Sequence, residues 1–437
     1  MNKIFTQLVH ARHLKDDFLH PKYEALENPL VLPDMDKAIG RIKKAIETGE
    51  KVLIYGDYDV DGVTASTVME QALRTAGVKN IEIMLPDRFI DGYGMSERLI
   101  TYAKEKGFSL VITVDCGSRN HAIIDELNHE GINTIVTDHH ECEDDLPEAI
   151  AIINPHRHDY GGPDTLKHLA GVGVAFKLAE ALKDAGLIKD GQEKWLLDLV
   201  LIGTICDSML MSKENRILCY YGKIVLEKTK REGLRELMKN AGVKFITAES
   251  IGFQIGPRLN AAGRLKSANI SLGLLRATSG AEAAKLATEL EDLNKERRIS
   301  QRAATREIEE RLKSASTKNT ASTQKHTAAT TTSPINIRKN PVIIETGDWH
   351  EGILGIVAGR LVEQYHQPAF VLSEVEEGIF KGSGRVLASS TWPMLSSSPR
   401  MLSLVAVGTP PQLASRSSER SSMNLEKKSM LTTRVFI

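Results

Sequence analysis

Apolar runs and amphipathic stretches alternate along residues 51–153 of the chain. The run "KVLIYG" (51–56) predicts a buried strand, and the spacing in residues 63–77 predicts a helix that ends at Gly77. Further strands are predicted in "IEIMLP", "SLVITVDCGS", "NTIVTDHHE" and "AIAIINP", with one helix beginning near Ser96 and another between the third and fourth strands. Short apolar strands separated by helices are typical of a parallel sheet. We therefore predict an α/β fold.

The second half of the chain has a different pattern. Residues 166–313 predict mostly helix and end in a long segment, 279–313, whose mixed charges favour a solvated connecting helix. Residues 314–340 contain almost no apolar side chains, which predicts a flexible linker. From Pro341 onward, two apolar runs flank an amphipathic stretch. This pattern predicts a smaller domain with a strand, a helix and a strand.

Composition limits the classes of protein that this chain can belong to. The 437 residues have a formal net charge of −1, 41% hydrophobic residues and 26% charged residues, as in an ordinary soluble protein. A globally basic nucleic-acid coat is excluded, so any binding of nucleic acid must use a local patch. The four cysteines form no C-x-x-C pair, no apolar core suits a signal peptide, and no stretch approaches the roughly 18 apolar residues of a membrane span. We expect a cytoplasmic protein without a membrane partner.

Acidic residues fall where the predicted strands end. Asp57, Asp115 and Asp138 each follow an apolar strand. In open α/β sheets, ligands bind at the edge where the carboxyl ends of the strands meet. The sequence therefore predicts that these three side chains line a site at that edge.

The stretch "YGDYDVDG" (55–62) crowds Asp57, Asp59 and Asp61 into alternate positions. Three like charges at this spacing repel one another unless a positive group lies between them. An EF-hand loop is excluded, because its twelfth position is Val68 rather than glutamate and a strand precedes it. A helix N-cap would explain one of these carboxylates, such as Asp61, but not three.

Three more groups of polar residues add to this set. They are Asp115 in "VDCG", the triplet Asp138-His139-His140, and Asp207 after the apolar run "LVLIGTIC". Carboxylates with one or two imidazoles and no thiolate suit Mn²⁺ or Mg²⁺. The number of ligands is sufficient for two ions that share a bridging carboxylate, an arrangement that hydrolyses phosphate esters.

Four of these segments resemble the motifs of the DHH phosphoesterase family, which is named after the triplet at 138–140. They are "GDYDVDG", "VDCGS", "TDHHE" and the segment around Asp207. "PDRFIDGYG", "GPRLNAAGR" and "GDWHEGILGIVAGRLVEQY" resemble, in the same order, segments of single-strand-specific 5′ exonucleases within the family. The resemblance covers residues from about 50 to 385. It implies a parallel-sheet DHH domain with a helical extension, a long connecting helix and a smaller, incomplete α/β DHH-associated domain.

The sequence patterns and the resemblance together predict boundaries for these parts. They are a lead-in (1–50), the DHH catalytic domain with its helical part (51–275), the connecting helix (276–313), the linker (314–340), a partial DHH-associated domain (341–385) and an aberrant tail (386–437).

By the same resemblance, two ions of Mn²⁺ or Mg²⁺ have ligands among Asp57, Asp59, Asp61, Asp115, His139 and Asp207. Asp57 is either a ligand or lies directly behind the ligands, and Asp115 is the expected bridging carboxylate. His140 is expected to face the scissile phosphate. Asp138 is expected to orient the imidazoles as a hydrogen-bond acceptor.

Residues that would bind the nucleic acid are predicted in three segments of the sequence. They are Arg88, Tyr93, Arg258, Asn260, Arg264, Ser383 and Arg385. Guanidinium groups bind phosphate through two hydrogen bonds. The segment "KGSGR" (381–385) is interpreted as a glycine-rich turn whose backbone amides form an anion site beside Arg385. Tyr93 is a candidate for stacking on a base, and a packing role for it is equally open.

The predicted function is removal of nucleotides from the 5′ end of single-stranded DNA, in DNA repair and recombination. A single-strand-binding protein and a helicase are the expected protein partners. One alternative is a phosphodiesterase for short oligonucleotides or cyclic dinucleotides, against which the exonuclease-like segments count. Another is a non-catalytic replication scaffold, which would be expected to have lost metal ligands.

The resemblance stops abruptly after Arg385. Related exonucleases continue "GSGR" with serine and later carry a G-G-H-x-A-A-A-G segment, whereas residues 386–437 are rich in serine and lack clear periodicity. If the codons for "VAVGTPPQLA" are read in a frame in which each new codon starts on the third base of the old one, their fixed bases are compatible with that glycine-histidine segment. The same shifted frame is compatible with serine in place of Val386. We hypothesise a frameshift near Arg385 that leaves the smaller domain incomplete and cleavage weak, with a divergent tail as the alternative. Resequencing decides, because a shifted frame without the Gly-Gly-His codons rejects the hypothesis.

Overall fold

The computed structural model describes residues 3–92, 94–323, 342–376, 379–386, 402–407 and 434–436. The chain forms two compact units, Met1–Asn294 and Lys295–Ile437. Among the described residues, no helix is both long enough and apolar enough to cross a membrane.

The N-terminal unit combines five strands with many helices. The strands are β1 (Lys51–Tyr55), β2 (Asn80–Met84), β3 (Leu110–Val114), β4 (Asn133–Thr137) and β5 (Ala151–Ile153). The helices are α1 (Lys3–Ala11), α2 (Asp16–Leu19), α3 (Met35–Thr48), α4 (Val60–Ala76), α5 (Glu97–Lys106), α6 (His121–His129), α7 (Gly171–Asp184), α8 (Leu197–Cys206), α9 (Lys213–Glu227), α10 (Glu232–Asn240), α11 (Ala248–Ser250), α12 (Gly256–Leu265), α13 (Asn269–Arg276) and α14 (Gly280–Thr323), which continues into the second unit. Shorter 3-10 turns and a π-helix, Ile251–Ile255, connect some of them.

The predicted parallel sheet is confirmed. Its strand order is β2-β1-β3-β4-β5, and every neighbouring pair is parallel. Alternate residues of β1 enter two different apolar clusters, with Val52 and Ile54 on one face and Leu53 and Tyr55 on the other. Because successive side chains of a strand point to opposite faces, both faces of the sheet are buried. The strands therefore read as continuous apolar runs in the sequence.

The lead-in contributes to the core of the N-terminal unit. Met35, Ile39 and Ile42 of α3 are buried in the same cluster as the sheet. Further along the chain, the fully buried Lys177 of α7 forms ion pairs with Glu180, at 2.8 Å, and with Glu214 of α9. A buried cation held by two carboxylates fixes α7 against α9, and this matters because the first residues of α7 contact the candidate site.

The long helix α14 corrects two predictions. It continues to Thr323, so the predicted start of the linker at residue 314 is wrong. Residues 324–340 of the predicted linker lie outside the described residues. The helix also has a buried side rather than being solvated all round. In the N-terminal unit this side is formed by Ala287 and Leu290, and in the second unit by Ala304, Ile308 and Leu312. Their spacing of three and four residues gives an apolar stripe that the many charges on the other side concealed.

The second unit contains the C-terminal part of α14, one further helix and a mixed sheet. Its elements are β6 (Ile343–Thr346), α15 (Glu351–Tyr365), β7 (Ala369–Glu376), β8 (Ile379–Arg385), β9 (Leu402–Val407) and β10 (Arg434–Phe436), in the sheet order β10-β9-β8-β7-β6. Only the β6–β7 pair is parallel among these described strands. The structure agrees with the predicted strand, helix and strand after Pro341. It also describes β9 and β10 within residues 386–437, where the sequence pattern predicted no element, and the frameshift there stays a prediction.

The interpretation of "KGSGR" as a turn is wrong, because these residues belong to β8 and pair with β7 and β9. The glycines serve close packing instead. A Cβ on Gly382 would lie 2.4 Å from the Val371 carbonyl oxygen, and one on Gly384 would lie 2.5 Å from the Phe370 ring. Glycine in a strand interior often marks such a close approach of another part of the chain.

Candidate metal centre

The acidic residues converge where the strands of the parallel sheet end. Asp57 follows β1, Asp115 directly follows β3, and Asp138 directly follows β4. Asp207 arrives differently, as the residue after the last turn of α8. Asp207 is therefore delivered by a helix that packs against α4 and α7 rather than by the end of a strand.

His139 lies at the centre of the carboxylates. Its Nε2 atom is 3.0 Å from Asp115 Oδ1, 3.7 Å from Asp207 Oδ2 and 3.8 Å from Asp61 Oδ2. A hydrogen bond to the Leu169 backbone involves the imidazole, which leaves Nε2 facing the carboxylates. A histidine held through one ring nitrogen presents the other as a metal ligand.

The possible ligand atoms fall into overlapping groups. Three residues in each group place a ligand atom within 4.8 Å of the others: Asp61, His139 and Asp207; Asp57, Asp59 and Asp115; and Asp115, His139 and His140. The first two groups share no residue, and Asp115 and His139 connect them through the third group. Asp115 and His139 each belong to two of the three groups, so the residues present fit two cations, and the bridging role of Asp115 stays a prediction.

Two buried oxygens support the assignment to a metal. Asp57 Oδ1 has no hydrogen-bond partner among the described residues. Asp115 Oδ1 lies 3.0 Å from His139 Nε2 but accepts no hydrogen bond from it, because the imidazole donates to the Leu169 backbone through its other nitrogen. Buried carboxylate oxygens normally accept hydrogen bonds, so an unsatisfied pair indicates a missing positive partner. With oxygen and imidazole donors only, the site suits Mn²⁺ or Mg²⁺.

The motif loop from Asp57 to Asp61 is a tight connection between β1 and α4. Asp59 is the N-cap of α4, and its side chain accepts a hydrogen bond of 3.1 Å from the Gly62 amide. The capping role considered for Asp61 therefore belongs to Asp59. Gly62 is required for space, since a Cβ there would lie 2.4 Å from the Asp57 carbonyl oxygen. The glycine that ends the motif thus lets the loop fold back on Asp57.

Asp61 is held by the N-terminus of α7. Its carboxylate accepts hydrogen bonds from the amides of Gly171, at 2.6 Å, and Val172, at 2.9 Å. The positive end of a helix dipole favours a carboxylate in this position. A Cβ on Gly171 would lie 2.6 Å from Asp115 Oδ1, so glycine is needed there. Sequence reasoning missed this residue, for which the only signal was the small-residue run "AGVG".

Asp115 has a strained backbone. Its φ of 62° lies in the left-handed region that few residues other than glycine, asparagine and aspartate adopt. The Asp115 amide donates to the Thr137 carbonyl at 3.0 Å, which anchors the residue to β4. Strain of this kind at the end of a strand is typical of functional sites, where it aims a side chain.

Burial and mutual repulsion raise the pKa values of the acidic cluster. Burial is the largest cause, and the negative charge of neighbouring aspartates adds to it, so that the pKa of Asp61 is about 7 and those of Asp57 and Asp207 are about 8. The same causes raise the pKa of Asp115 well above its usual range. Asp207 also lies at the negative end of the α8 dipole. Without cations, the cluster therefore retains protons near neutral pH.

Asp138 and His140 form an ion pair in which, unlike in the acidic cluster, the carboxyl group has a lowered pKa. Burial alone would raise the pKa of Asp138, but the charge and hydrogen bond of His140 and further donors hold it well below its usual range. Asp138 Oδ1 accepts from His140 Nδ1 at 2.8 Å and from the His139 amide at 2.7 Å. Burial would lower the pKa of His140, yet Asp138 raises it to about 9. His139, by contrast, has a pKa lowered to about 3, mainly by burial and then by the charge of His140. One imidazole is therefore neutral and the other is a cation at pH 7.

Two of the predicted phosphate-binding residues lie at the motif loop. The guanidinium of Arg88 stands 5.0 Å from the ring centroid of Tyr58, between Asp57 and Asp59 in the sequence. Burial and Asp57 raise the pKa of the Tyr58 hydroxyl, while Arg88 and Arg264 act to lower it. Both arginines are therefore within electrostatic reach of the candidate metal centre.

Asn260 and Arg258 are engaged elsewhere. Asn260 Oδ1 accepts a hydrogen bond of 3.2 Å from the amide of Val60, the first residue of α4. Arg258 donates to Glu291, at 2.6 Å, and to the Gln254 carbonyl, at 2.7 Å. Asn260 supports the motif loop, and Arg258 joins α12 to α14. Their roles in binding nucleic acid stay predictions, and Tyr93 lies outside the described residues.

Ser383 and Arg385 belong to the second unit. They occupy alternate positions of β8 and face α15, where Gly355 leaves space beside them. The buried Ser383 hydroxyl has no hydrogen-bond partner among the described residues, and Arg385 Nη1 donates to the Gly384 carbonyl at 3.2 Å. The structure thus brings this pair together, and its role in phosphate binding stays a prediction.

Comparison with known proteins places this arrangement in a family. Residues 51–204 match the model of the DHH family, N-terminal domain. The single-stranded-DNA-specific exonuclease RecJ of Bacillus subtilis (strain 168) is 39% identical over 371 residues, covering 84% of this chain and 44% of the relative. The protein of the same name from Haemophilus influenzae is 36% identical over 393 residues, covering 87% of this chain and 65% of the relative. A crystal structure of RecJ in complex with Mn²⁺ from Thermus thermophilus has a TM-score of 0.73 and 27% identity, covering 93% of this chain and 56% of that chain.

The resemblance to the DHH family is thereby confirmed, and so is the α/β fold. The chain spans less than two-thirds of the length of these two curated relatives, 44% of one and 65% of the other.

We predict that Asp115→Asn abolishes binding of both cations while leaving the fold intact. Asparagine tolerates the left-handed backbone, but a neutral amide does not bridge two cations. The loss of Mn²⁺ affinity, measured by titration calorimetry, should exceed the roughly 10–100-fold that follows removal of a residue behind a ligand. Asp125→Asn, on the exposed side of α6, is the matched control. Near-normal binding of two Mn²⁺ ions by Asp115→Asn would contradict the bridging role.

We also predict that the metal-free protein becomes less stable as pH rises from about 5 to about 8.5. The raised pKa values mean that the folded state binds protons more tightly than the unfolded chain, so the stabilisation present below pH 4 is lost as pH passes the folded pKa values of about 7 to 8. The measurement is urea unfolding in a chelator. The decrease in the free energy of unfolding per pH unit should be smaller in Asp207→Asn, and Mn²⁺ should restore stability at high pH. An equal decrease in the variant would show that groups other than Asp207 cause the pH dependence.

Proposed function

We propose that this chain, whose residues 51–204 form a DHH family N-terminal domain, hydrolyses single-stranded DNA from its 5′ end with two divalent cations, Mn²⁺ or Mg²⁺. One observation carries the proposal: two groups of carboxylate and imidazole ligands are connected through Asp115 and His139, which follow strands of the parallel sheet. The relatives named as single-stranded-DNA-specific exonucleases support the choice of substrate.

In this proposal the two groups of ligands hold one cation each. Asp57, Asp59 and Asp115 would hold the first, and Asp61, His139 and Asp207 the second. When bound, the cations supply Lewis-acid stabilisation of the negative charge that develops on the phosphate. The raised pKa values of these carboxyls agree with this, because groups that retain protons near pH 7 release them when a divalent cation binds.

His140 is proposed to donate a hydrogen bond to the phosphate. It is a cation at neutral pH, Asp138 fixes its Nδ1 atom, and its side chain is 42% exposed. The ring nitrogen that remains, Nε2, carries a proton in the cationic form. A fixed, charged donor beside the carboxylates stabilises the additional negative charge of a pentacoordinate phosphorus.

Arg88 and Arg264 are proposed to bind backbone phosphates beside the motif loop. Arg88 is stacked against Tyr58, which limits its rotation and aims its guanidinium. Guanidinium groups bind phosphate through paired hydrogen bonds, whereas the carboxylates around them would repel an unneutralised strand. Positive charge supplied locally agrees with a chain whose overall net charge is −1.

The cellular setting follows from the substrate. We propose single-stranded DNA as the partner, with a single-strand-binding protein and a helicase supplying the unpaired strand. We also propose the cytoplasm as the location, because Cys116, Cys142, Cys206 and Cys219 are all free thiols, as in a reducing compartment. The proposed frameshift near Arg385 would make this chain a weaker nuclease than its intact relatives.

A digestion of end-labelled single strands tests the proposed function. With Mn²⁺ present, a 3′-labelled strand should shorten progressively from its 5′ end, a duplex should resist, and Asp115→Asn should be inactive. Hydrolysis of dinucleotides in preference to long strands would favour the oligonucleotide phosphodiesterase. Binding of DNA without any hydrolysis, together with no binding of Mn²⁺, would favour the scaffold.

We predict that Arg88→Ala weakens the binding of single-stranded DNA and makes its affinity less dependent on salt concentration. Each phosphate contact contributes about 0.7 to the slope of log affinity against log salt concentration for a single strand. Fluorescence anisotropy at several salt concentrations measures this slope. Arg235→Ala is the comparison, since its guanidinium is paired with Glu232 on the exposed surface of α10, and its slope should be unchanged. An unchanged slope in Arg88→Ala would show that Arg88 binds no phosphate.

A further inference from the structure

Asn154 is a buried polar residue to which the proposed mechanism gives no role. It follows β5 and is 0% exposed. Its side-chain amide donates hydrogen bonds of 2.9 Å to the His140 carbonyl and to the Ser118 hydroxyl, and its Oδ1 atom accepts one of 2.8 Å from the His156 amide. All the hydrogen-bonding partners of this side chain therefore lie in the loops that follow the strands.

These bonds close a ring around the charged pair. The Ser118 amide donates to Asp138 Oδ2 at 3.0 Å, and Asp138 Oδ1 accepts from His140 Nδ1 at 2.8 Å. Asn154 completes the ring by joining Ser118 to the His140 carbonyl. His140 is consequently held at two points, its imidazole by Asp138 and its backbone by Asn154.

Only asparagine suits this position among residues of its size. Two donated bonds and one accepted bond use the NH₂ group and the oxygen of one side-chain amide together. Aspartate at this position would offer acceptors only, and alanine would remove the amide donor from the part-buried His140 carbonyl. The following Pro155 restricts the backbone of Asn154 to extended conformations, which keeps the side chain aimed into the ring.

We infer that Asn154 is a positioning residue, which holds His140 where its imidazole donates to the scissile phosphate. This inference rests on the proposed function. Asn154 touches neither substrate nor the ligand atoms around Asp115, so it acts through His140. A displacement of about 1 Å in a catalytic group is enough to lower a rate by about 100-fold.

Kinetics of Asn154→Ala and Asn154→Asp test the inference. With Mn²⁺ and a 5′-phosphorylated single strand, kcat should fall about 10–100-fold, as for other residues that orient an active-site imidazole. KM and the affinity for Mn²⁺ should stay within about 3-fold, because the ligands and Arg88 keep their places. Asn128→Ala is the matched control, since Asn128 donates the same kind of bond, 2.8 Å long, to the Glu148 carbonyl on the exposed surface. A loss of Mn²⁺ affinity as large as the loss of kcat would overturn the inference.

A double-mutant cycle separates positioning from general damage to the fold. If Asn154 acts through His140, Asn154→Ala should lower kcat by no more than about 2-fold further in a His140→Ala background. If Asn154→Ala lowers kcat by the same factor in the unaltered chain and in the His140→Ala background, Asn154 has a merely structural role. If Asn154→Ala does not fold, Asn154→Ser, which retains one donor, replaces it in the same cycle.

A crystal structure of the metal-free Asn154→Ala variant gives a readout that needs no activity. The His140 imidazole should leave hydrogen-bond distance of Asp138, and an unmoved imidazole refutes the inference. A different result would contradict the proposed function: the unaltered chain would bind Mn²⁺ but hydrolyse no single strand. In that case the crystal structure of the variant would still decide whether Asn154 positions His140.

Discussion

Repulsion among buried carboxylates is the constraint on which the rest of this structure depends. Asp57, Asp61, Asp115 and Asp207 share one space with His139, and two of their oxygens have no donor among the described residues. Such a cluster is unstable unless protons or cations neutralise it. The fold therefore has to hold acidic groups together that would otherwise separate, and most of the special backbone features serve that purpose.

The backbone around the cluster has a geometry that lets the carboxylates lie close together. Gly62 and Gly171 leave room where any side chain would collide with an aspartate, and the helix dipole of α7 attracts the carboxylate of Asp61. Asp115 accepts a left-handed backbone to reach the cluster. Asn260 then fixes the first turn of α4 from a distant helix. The strain is local, and the buried parallel sheet behind it provides the rigidity that sustains it.

The two adjacent imidazoles show how environment separates the chemistry of identical side chains. His139 is buried among acids yet neutral, because burial outweighs the attraction of their charge, and it is suited to be a ligand. His140 is partly exposed and bonded to an ionised Asp138, so it carries a positive charge. A neutral ligand beside a charged donor is what phosphodiester hydrolysis requires, because the first must bind a cation and the second an anion.

The sequence by itself determined the elements and the chemistry that is contiguous in the chain. Apolar runs set the strands, and the polar residues directly after them gave the acidic cluster, because strand ends in a parallel sheet meet. Tertiary structure decided what depends on distant segments. The contacts that Gly171, Asn154 and Asn260 make at the site could not be predicted from local sequence, since each acts on the site through atoms 14 or more residues away. For the same reason "KGSGR" is a strand instead of a turn, since the space for its glycines is set by β7, which no local pattern encodes.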